Sequence, residues 1–345
     1  MSRLSRRLLA VIATVTLLAT AACGGSASSP EDDQDALVVY IGRNENLIGP
    51  LLEKFTEATG IEVTPRYGGS AELAAQLLEE ADQTPASVFL SQDAGALGAL
   101  QDVDRLEPLD QQQLGAIPEQ YRSGEGEWVG VSGRSRVLVY DSEQVPEAEL
   151  PTSVFELTDP KYKGKVGFAP TNASFQSFVT GMRVVHGEER TREWLEGFQA
   201  NDPVAYERNS LIVDAVNDGQ VPFGLVNHYY LYEKASNTDG GLEALNARNH
   251  LFPGGDIGSL VNVAGVGVLA RKGDERTKAF VDYLLGEEAQ TYFAEETKEF
   301  PLIEGVSPDV PGLPPLESLQ APAVDLSELD TLDETLELLD EVGLT

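Results

Sequence analysis

Short apolar runs alternate with amphipathic stretches along most of this chain. Residues 37–41 read as a buried strand. Leu47, Ile48, Leu51, Leu52 and Phe55 then recur at helical spacing until Gly60, a residue suited to the left-handed turn that ends a helix. The pattern returns to strand at 61–67, to helix at 71–81 and to strand at 87–90. A βαβαβ opening of this kind predicts a largely parallel sheet with helices on its faces. Further strands are expected at 128–131, 137–140, 166–169, 221–226 and 260–269, and further helices at 174–186, 191–199, 211–217, 276–285 and 288–295. Leu329, Leu332, Leu336 and Leu339 lie along one face of a closing C-terminal helix.

The two ends differ from this body. Arg3, Arg6 and Arg7, an apolar run over 8–18 and the small residues before Cys23 have the three-part layout of an export signal over 1–22. The apolar run is too short to span a bilayer. Cys23 is the single cysteine, so no internal disulfide can form, and its place after small residues marks it for lipidation. Residues 24–35, rich in Gly, Ser and Asp, then form a flexible tether. The expected location is the outer face of the cell membrane, held there by acyl chains alone.

The formal charge is −33, and signal cleavage would remove three arginines and no acid. That makes nucleic acid an implausible partner. The acidity is spread along the chain and identifies no site. The roughly 310 residues of the body suffice for two domains.

Candidate chemistry concentrates at Tyr229 and Tyr230. On a strand, adjacent side chains point to opposite faces, so the two phenols can share a ligand only at a turn. Residues 221–226 read as strand, Asn227 as a helix cap and 228–234 as the first turns of a helix, and ligands in α/β folds gather at the carboxyl ends of strands. A phenol ordinarily ionises near about 10, so holding two as phenolates near neutral pH calls for a strongly charged ion, and ferric iron is the obvious candidate. The bland alternative is a set of packed aromatics. The run Gly265-Val266-Gly267-Val268-Leu269-Ala270 loosely matches a dinucleotide fingerprint, but its glycines fall inside an apolar strand instead of in a strand-to-helix turn. They are expected to allow close packing. Only three histidines occur, with no nucleophile elbow and no His-Glu-x-x-His helix, so an enzyme is not expected.

From about Ala36 onward the chain resembles the ferric-iron-binding solute receptors of bacterial ABC importers, a transferrin-like branch of the periplasmic binding proteins. The residues that carry the resemblance are Ser132-Gly133-Arg134-Ser135-Arg136, Ala169-Pro170-Thr171-Asn172-Ala173-Ser174-Phe175, Arg208-Asn209-Ser210 and Asn227-His228-Tyr229-Tyr230. It implies a two-lobed α/β fold of the class II type, with lobe one at 36–132 and 257–310, lobe two at 133–256 and 311–345, and a two-segment hinge near Ser132 and Ile257. It further implies a monomer that captures Fe3+ with a synergistic anion such as carbonate, phosphate or citrate and passes it to a membrane permease. The alternative is a receptor of the same fold for an oxyanion, a polyamine or a sugar.

Carried over residue by residue, the family's paired tyrosine ligands fall on Tyr229 and Tyr230 and its anion loop on Asn172, Ala173 and Ser174. Asn209 and Asn227 match positions that help hold the anion, and Arg134 matches an arginine near the metal. On a strand, Arg134 and Arg136 would face the same side. Two departures stand out. Where some members place a metal-binding histidine and a glutamate in lobe one, this chain has Asn44 and Gln92, neutral amides that suit a trivalent ion poorly. Glu45 and Asp93, each one residue away, are the candidate substitutes.

Overall fold

The structure is a computed structural model and describes residues 36–306 and 309–345. The signal, Cys23 and the tether lie outside the described residues. Nine strands among the described residues form one sheet: β1 Leu37–Ile41, β2 Val63–Tyr67, β3 Val88–Ser91, β4 Trp128–Asp141, β5 Val166–Phe168, β6 Val204–Ala205, β7 Phe223–Asn227, β8 Ala247–His250 and β9 Val261–Val268. Their order is β2-β1-β3-β9-β4-β7-β5-β6, with β8 also paired to β4.

The two flanks are parallel, as the alternating pattern requires: β1 pairs with β2 and β3 on one side, and β5 with β6 and β7 on the other. The centre is antiparallel, because β4 and β9 run beside each other and each also pairs with a flank. Helices cover the sheet through apolar faces. On the first flank, Phe55 of helix Glu45–Thr59 meets Phe280 of helix Glu275–Leu284 edge to face, with ring centroids 5.1 Å apart.

Three sequence expectations change. The separate strands expected at 128–131 and 137–140 are one continuous strand, β4, buried over its whole length. The polar run Ser132 to Arg136 that broke the apolar pattern is buried because it crosses from one half of the sheet to the other and finds partners there. Asn227 is the last residue of β7 and not a helix cap; it pairs in register with Arg136, and the following helix, Tyr229–Ser236, starts from His228 with no side-chain cap. At the C-terminus the helix begins only at Leu332, so Thr335, Leu338 and Leu339 face inward and Leu336 is 36% exposed. Leu329 is buried in the preceding turn Leu326–Asp330.

The glycines of β9 do what a strand interior allows. A Cβ on Gly265 would lie 2.7 Å from Leu97 Cδ1, so the bare backbone lets helix Ala94–Gln101 pack directly on β9. A further segment pairs with β4: Phe300 forms an antiparallel bridge with Gly133.

Candidate functional site

A cavity of about 170 Å³ lies over the middle of the sheet, lined in part by Gln92, Asp93, Arg134, Arg136, Tyr229 and Tyr230. The tyrosines project from the first turn of helix Tyr229–Ser236, where β7 ends. Their rings stand 4.2 Å apart, centroid to centroid, tilted by 31°. The turn thus does what a strand cannot, and sends two consecutive phenols into one space. Burial pushes the Tyr229 phenol well above its ordinary range, and the neighbouring Tyr230 pushes it the same way, while Arg134 pulls it back.

His228 fixes the entry to that turn. The Ser135 N–H donates to its Nδ1 over 3.2 Å, so the proton sits on Nε2, which lies 3.0 Å from the Lys298 carbonyl and donates to it. Its ring stacks on Phe300 with centroids 4.2 Å apart. Burial lowers the His228 pKa to about 4, so the imidazole is neutral. With both nitrogens engaged, it is a brace and not a ligand.

Beside the tyrosines, after β5, the parallel neighbour of β7, lies the start of helix Ala173–His186. Asn172 caps it: its Oδ1 accepts from the Ser174 N–H at 3.0 Å, from the Ser174 hydroxyl at 2.6 Å and from Asn209 Nδ2 at 3.2 Å. Asn209 is fully buried behind this loop and also donates to Ser174 Oγ at 3.0 Å. The cap consumes the Ser174 N–H, which leaves the Ala173 N–H as the loop's backbone donor.

Arg134 and Arg136 are both buried and both line the cavity, as their alternation on a strand requires. Their partners differ. Arg136 Nη1 donates to Ser174 Oγ at 3.1 Å and to Asn227 Oδ1 at 3.2 Å, while its Nε and Nη2 are buried without a protein partner. Burial lowers its pKa to about 10, still cationic at neutral pH. Arg134 Nη2 donates to the Gln92 carbonyl, across the boundary between the two halves of the sheet. Behind Arg134 lies a closed ion pair, Arg43 with Glu299 at 2.8 Å, joined by the Ser132 hydroxyl.

The structure therefore brings Tyr229, Tyr230, Asn172, Ala173, Ser174, Asn227, Arg134, Gln92 and Asp93 around one cavity, with Asn209 supporting the loop. Asn44 and Glu45 are not brought there. Asn44 is exposed and caps helix Glu45–Thr59 by accepting from the Asn46 N–H at 2.9 Å, and Glu45 is exposed in that helix's first turn. Sequence reasoning passed over Ser177 and Asn262. Ser177 was legible, since it lies three residues beyond Ser174 on one helical face. Asn262 was not, because only strand pairing sets it beside Arg134. No group of three or more His, Cys, Asp or Glu side chains suited to a metal occurs among the described residues; the anionic or ionisable oxygen donors that line this cavity are the two phenols and the Asp93 carboxylate.

Comparison with known proteins gives a consistent result. Residues 83–325 match the family model described as bacterial extracellular solute-binding protein. The chain is 35% identical to the Fe(3+)-binding periplasmic protein of Serratia marcescens over 96% of its own length and 97% of that protein. It superimposes on iron-bound HitA of Pseudomonas aeruginosa with a TM-score of 0.79 and 31% identity, over 89% of this chain and 99% of that one. The Trichodesmium protein IdiA (FutA), solved in complex with iron and citrate ligands, gives a TM-score of 0.76 at 28% identity, over 90% of this chain and 100% of that one.

Proposed function

The chain belongs to the bacterial extracellular solute-binding proteins, and from that membership we propose that it is the receptor of an ABC importer that captures ferric iron together with an anion and hands it to a membrane permease. The observation that carries this reading is the convergence of Tyr229 and Tyr230 on a cavity that also holds a buried, half-unpartnered arginine, Arg136. Each phenol supplies one anionic oxygen to Fe3+ once deprotonated. Two phenolates leave one charge of the metal unbalanced and most of its coordination sites open.

The anion fills both deficits. Arg136 offers Nε and Nη2 in the fork geometry that suits two oxygens of one anion, and the Ala173 N–H adds the field of a helix start. Asn172, Ser174, Asn209 and Asn227 hold the arginine and the loop in place. Carbonate, phosphate or citrate each meets this description, and the iron and citrate held by the Trichodesmium relative support the same class of ligand.

The lobes are 36–132 with 257–310, and 133–256 with 311–345. Closure about the crossings near Ser132 and Ile257 would let a permease distinguish loaded from empty receptor by differential contacts. Acyl chains on Cys23 would keep this monomeric body at the outer face of the cell membrane. No helix among the described residues is long and apolar enough to cross a membrane. We read the chain as a binder and not an enzyme, in keeping with the names of its relatives.

The test is a ferric titration of the iron-free protein from a non-coordinating donor, with carbonate, phosphate and citrate excluded and then added back singly. The expected result is a coloured phenolate complex whose affinity rises sharply on addition of one anion. Anion binding without any iron-dependent colour would favour an oxyanion receptor instead.

A further inference from the structure

Arg134 and Asn262 are cross-strand partners, in register on β4 and β9, and both line the cavity. Each reaches the same short loop after β3. Arg134 Nη2 donates to the Gln92 carbonyl, and Asn262 Oδ1 accepts from the Ala94 N–H at 3.4 Å. Gln92 and Ala94 flank Asp93, so the two central strands grip this residue from either side. Asn262 has a second engagement: its Nδ2 donates to Ser177 Oγ at 2.7 Å, on the helix whose start carries Asn172 to Ser174. The orientation of its amide is fixed, because Oδ1 receives two backbone N–H groups, from Ala94 and from Val263 at 2.7 Å, and Nδ2 faces a hydroxyl.

The loop is also held from its own side. Its Gln92 N–H donates to Ser70 Oγ at 2.9 Å, and Ser91 Oγ donates to the Asp93 carbonyl at 2.7 Å. One oxygen of the Asp93 carboxylate caps helix Ala94–Gln101 by accepting from the Ala96 N–H at 3.2 Å. A carboxylate has about four acceptor positions, so the cap leaves capacity on the cavity side. Burial raises the Asp93 pKa, with the Ala96 N–H and Arg134 pulling it back. Asp93 lines the cavity, so its remaining acceptor positions are open to a cation there.

We propose that Asn262 and Arg134 are positioning residues for cation capture: they hold the loop Gln92–Ala94, and with it the Asp93 carboxylate, against the cavity that Tyr229 and Tyr230 line. Asn262 is the link that matters most, because it ties this loop and the anion-bearing helix to a single side chain on a central strand. Asp93 then supplies the first half of the molecule's contribution to the cation, a part that Asn44 and Glu45 are not placed to play. The proposal rests on the ferric reading of the cavity and deepens it.

The experiment is a ferric citrate titration of the whole mature protein, as wild type, Asp93→Asn, Asn262→Leu and the double variant, read by visible absorbance and by affinity. Each single variant is expected to lose at least tenfold in ferric affinity while keeping the phenolate-to-iron band, since the tyrosines are untouched. The double variant is expected to lose no more than about twofold beyond the weaker single variant, because both changes act through one carboxylate. Losses that multiply, or single variants with wild-type affinity, would overturn the proposal. Asn262→Ala, which removes the amide and with it the contact to the Ala94 N–H, replaces Asn262→Leu if that protein does not fold, and the same dependence on Asp93 is expected. A wild type that gives no coloured complex would overturn the ferric reading itself, which is a different failure from coloured wild type with unchanged variants.

Discussion

Arg136 and Asn227 face each other in register across β4 and β7, and the guanidinium Nη1 donates to Asn227 Oδ1 over 3.2 Å. The same nitrogen reaches Ser174 Oγ, which leaves Nε and Nη2 buried and unpartnered. A buried donor left in that state costs about 1–3 kcal/mol, and more when charged, so an anion seated there recovers a substantial free energy. Arg136→Lys keeps the charge and removes the fork. The expected outcome is that the gain in ferric affinity on adding carbonate falls by about tenfold or more relative to wild type, measured in paired titrations with and without the anion. An unchanged gain would place the anion elsewhere.

Arg43 and Glu299 form a doubly hydrogen-bonded ion pair, both side chains almost fully buried, where the loop after β1 meets the segment that bridges Gly133. Glu299→Gln leaves the guanidinium buried without its counter-charge, and such a loss is worth about 3–5 kcal/mol. Urea unfolding of the iron-free variant should show it; a change below about 1 kcal/mol would mean the pair is not insulated from water. Burial alone would raise the Glu299 pKa, but Arg43, Arg134 and the Ser132 hydroxyl more than offset it and hold it below its ordinary value. Its contribution to stability is therefore present above the ordinary carboxyl range and fades as the pH falls below that range.

His228 gives a second, separable acid transition. Its pKa is depressed to about 4 by burial, so between its ordinary value of 6.5 and about 4 the unfolded chain binds a proton that the folded chain does not. Stability from this group is complete above 6.5 and is lost progressively down to about 4, a loss on the order of 3 kcal/mol. In His228→Gln the slope of unfolding free energy against pH across this window should flatten. A variant with the wild-type slope would show that another group titrates there.

Ferric affinity itself should fall as the pH falls, because each phenol must lose its proton to become a ligand. Two such protons correspond to as much as about a hundredfold per pH unit, to be read by competition with a chelator of known protonation. An affinity independent of pH would argue against phenolate ligation.

Much of this architecture was legible in the alternation of apolar and polar residues. The flanking βα units follow it closely, from β1 at Leu37–Ile41 to helix Glu275–Leu284. The centre was harder, because the apolar code fails where polar residues are buried by design: Ser132, Arg134, Ser135 and Arg136 read as an interruption and are the middle of a continuous strand. The paired tyrosines were visible because adjacency at a turn has a chemical meaning that adjacency on a strand lacks. The role of His228 was hidden, since its partners Ser135 and Lys298 are distant in sequence. Asn262 was hidden for the same reason.

Tyr229 and Tyr230 are both expected to bind the metal, and the visible spectrum of the ferric complex in wild type, Tyr229→Phe and Tyr230→Phe at saturating anion reads this without an intermediate step. Phenylalanine keeps each ring and removes the one oxygen that would coordinate. The result expected is an intense phenolate-to-iron band in the wild type, a shifted and weaker band in each variant, and an affinity lower on the order of a hundredfold, equivalent to about 2.7 kcal/mol. Wild-type band and affinity in both variants would contradict the account.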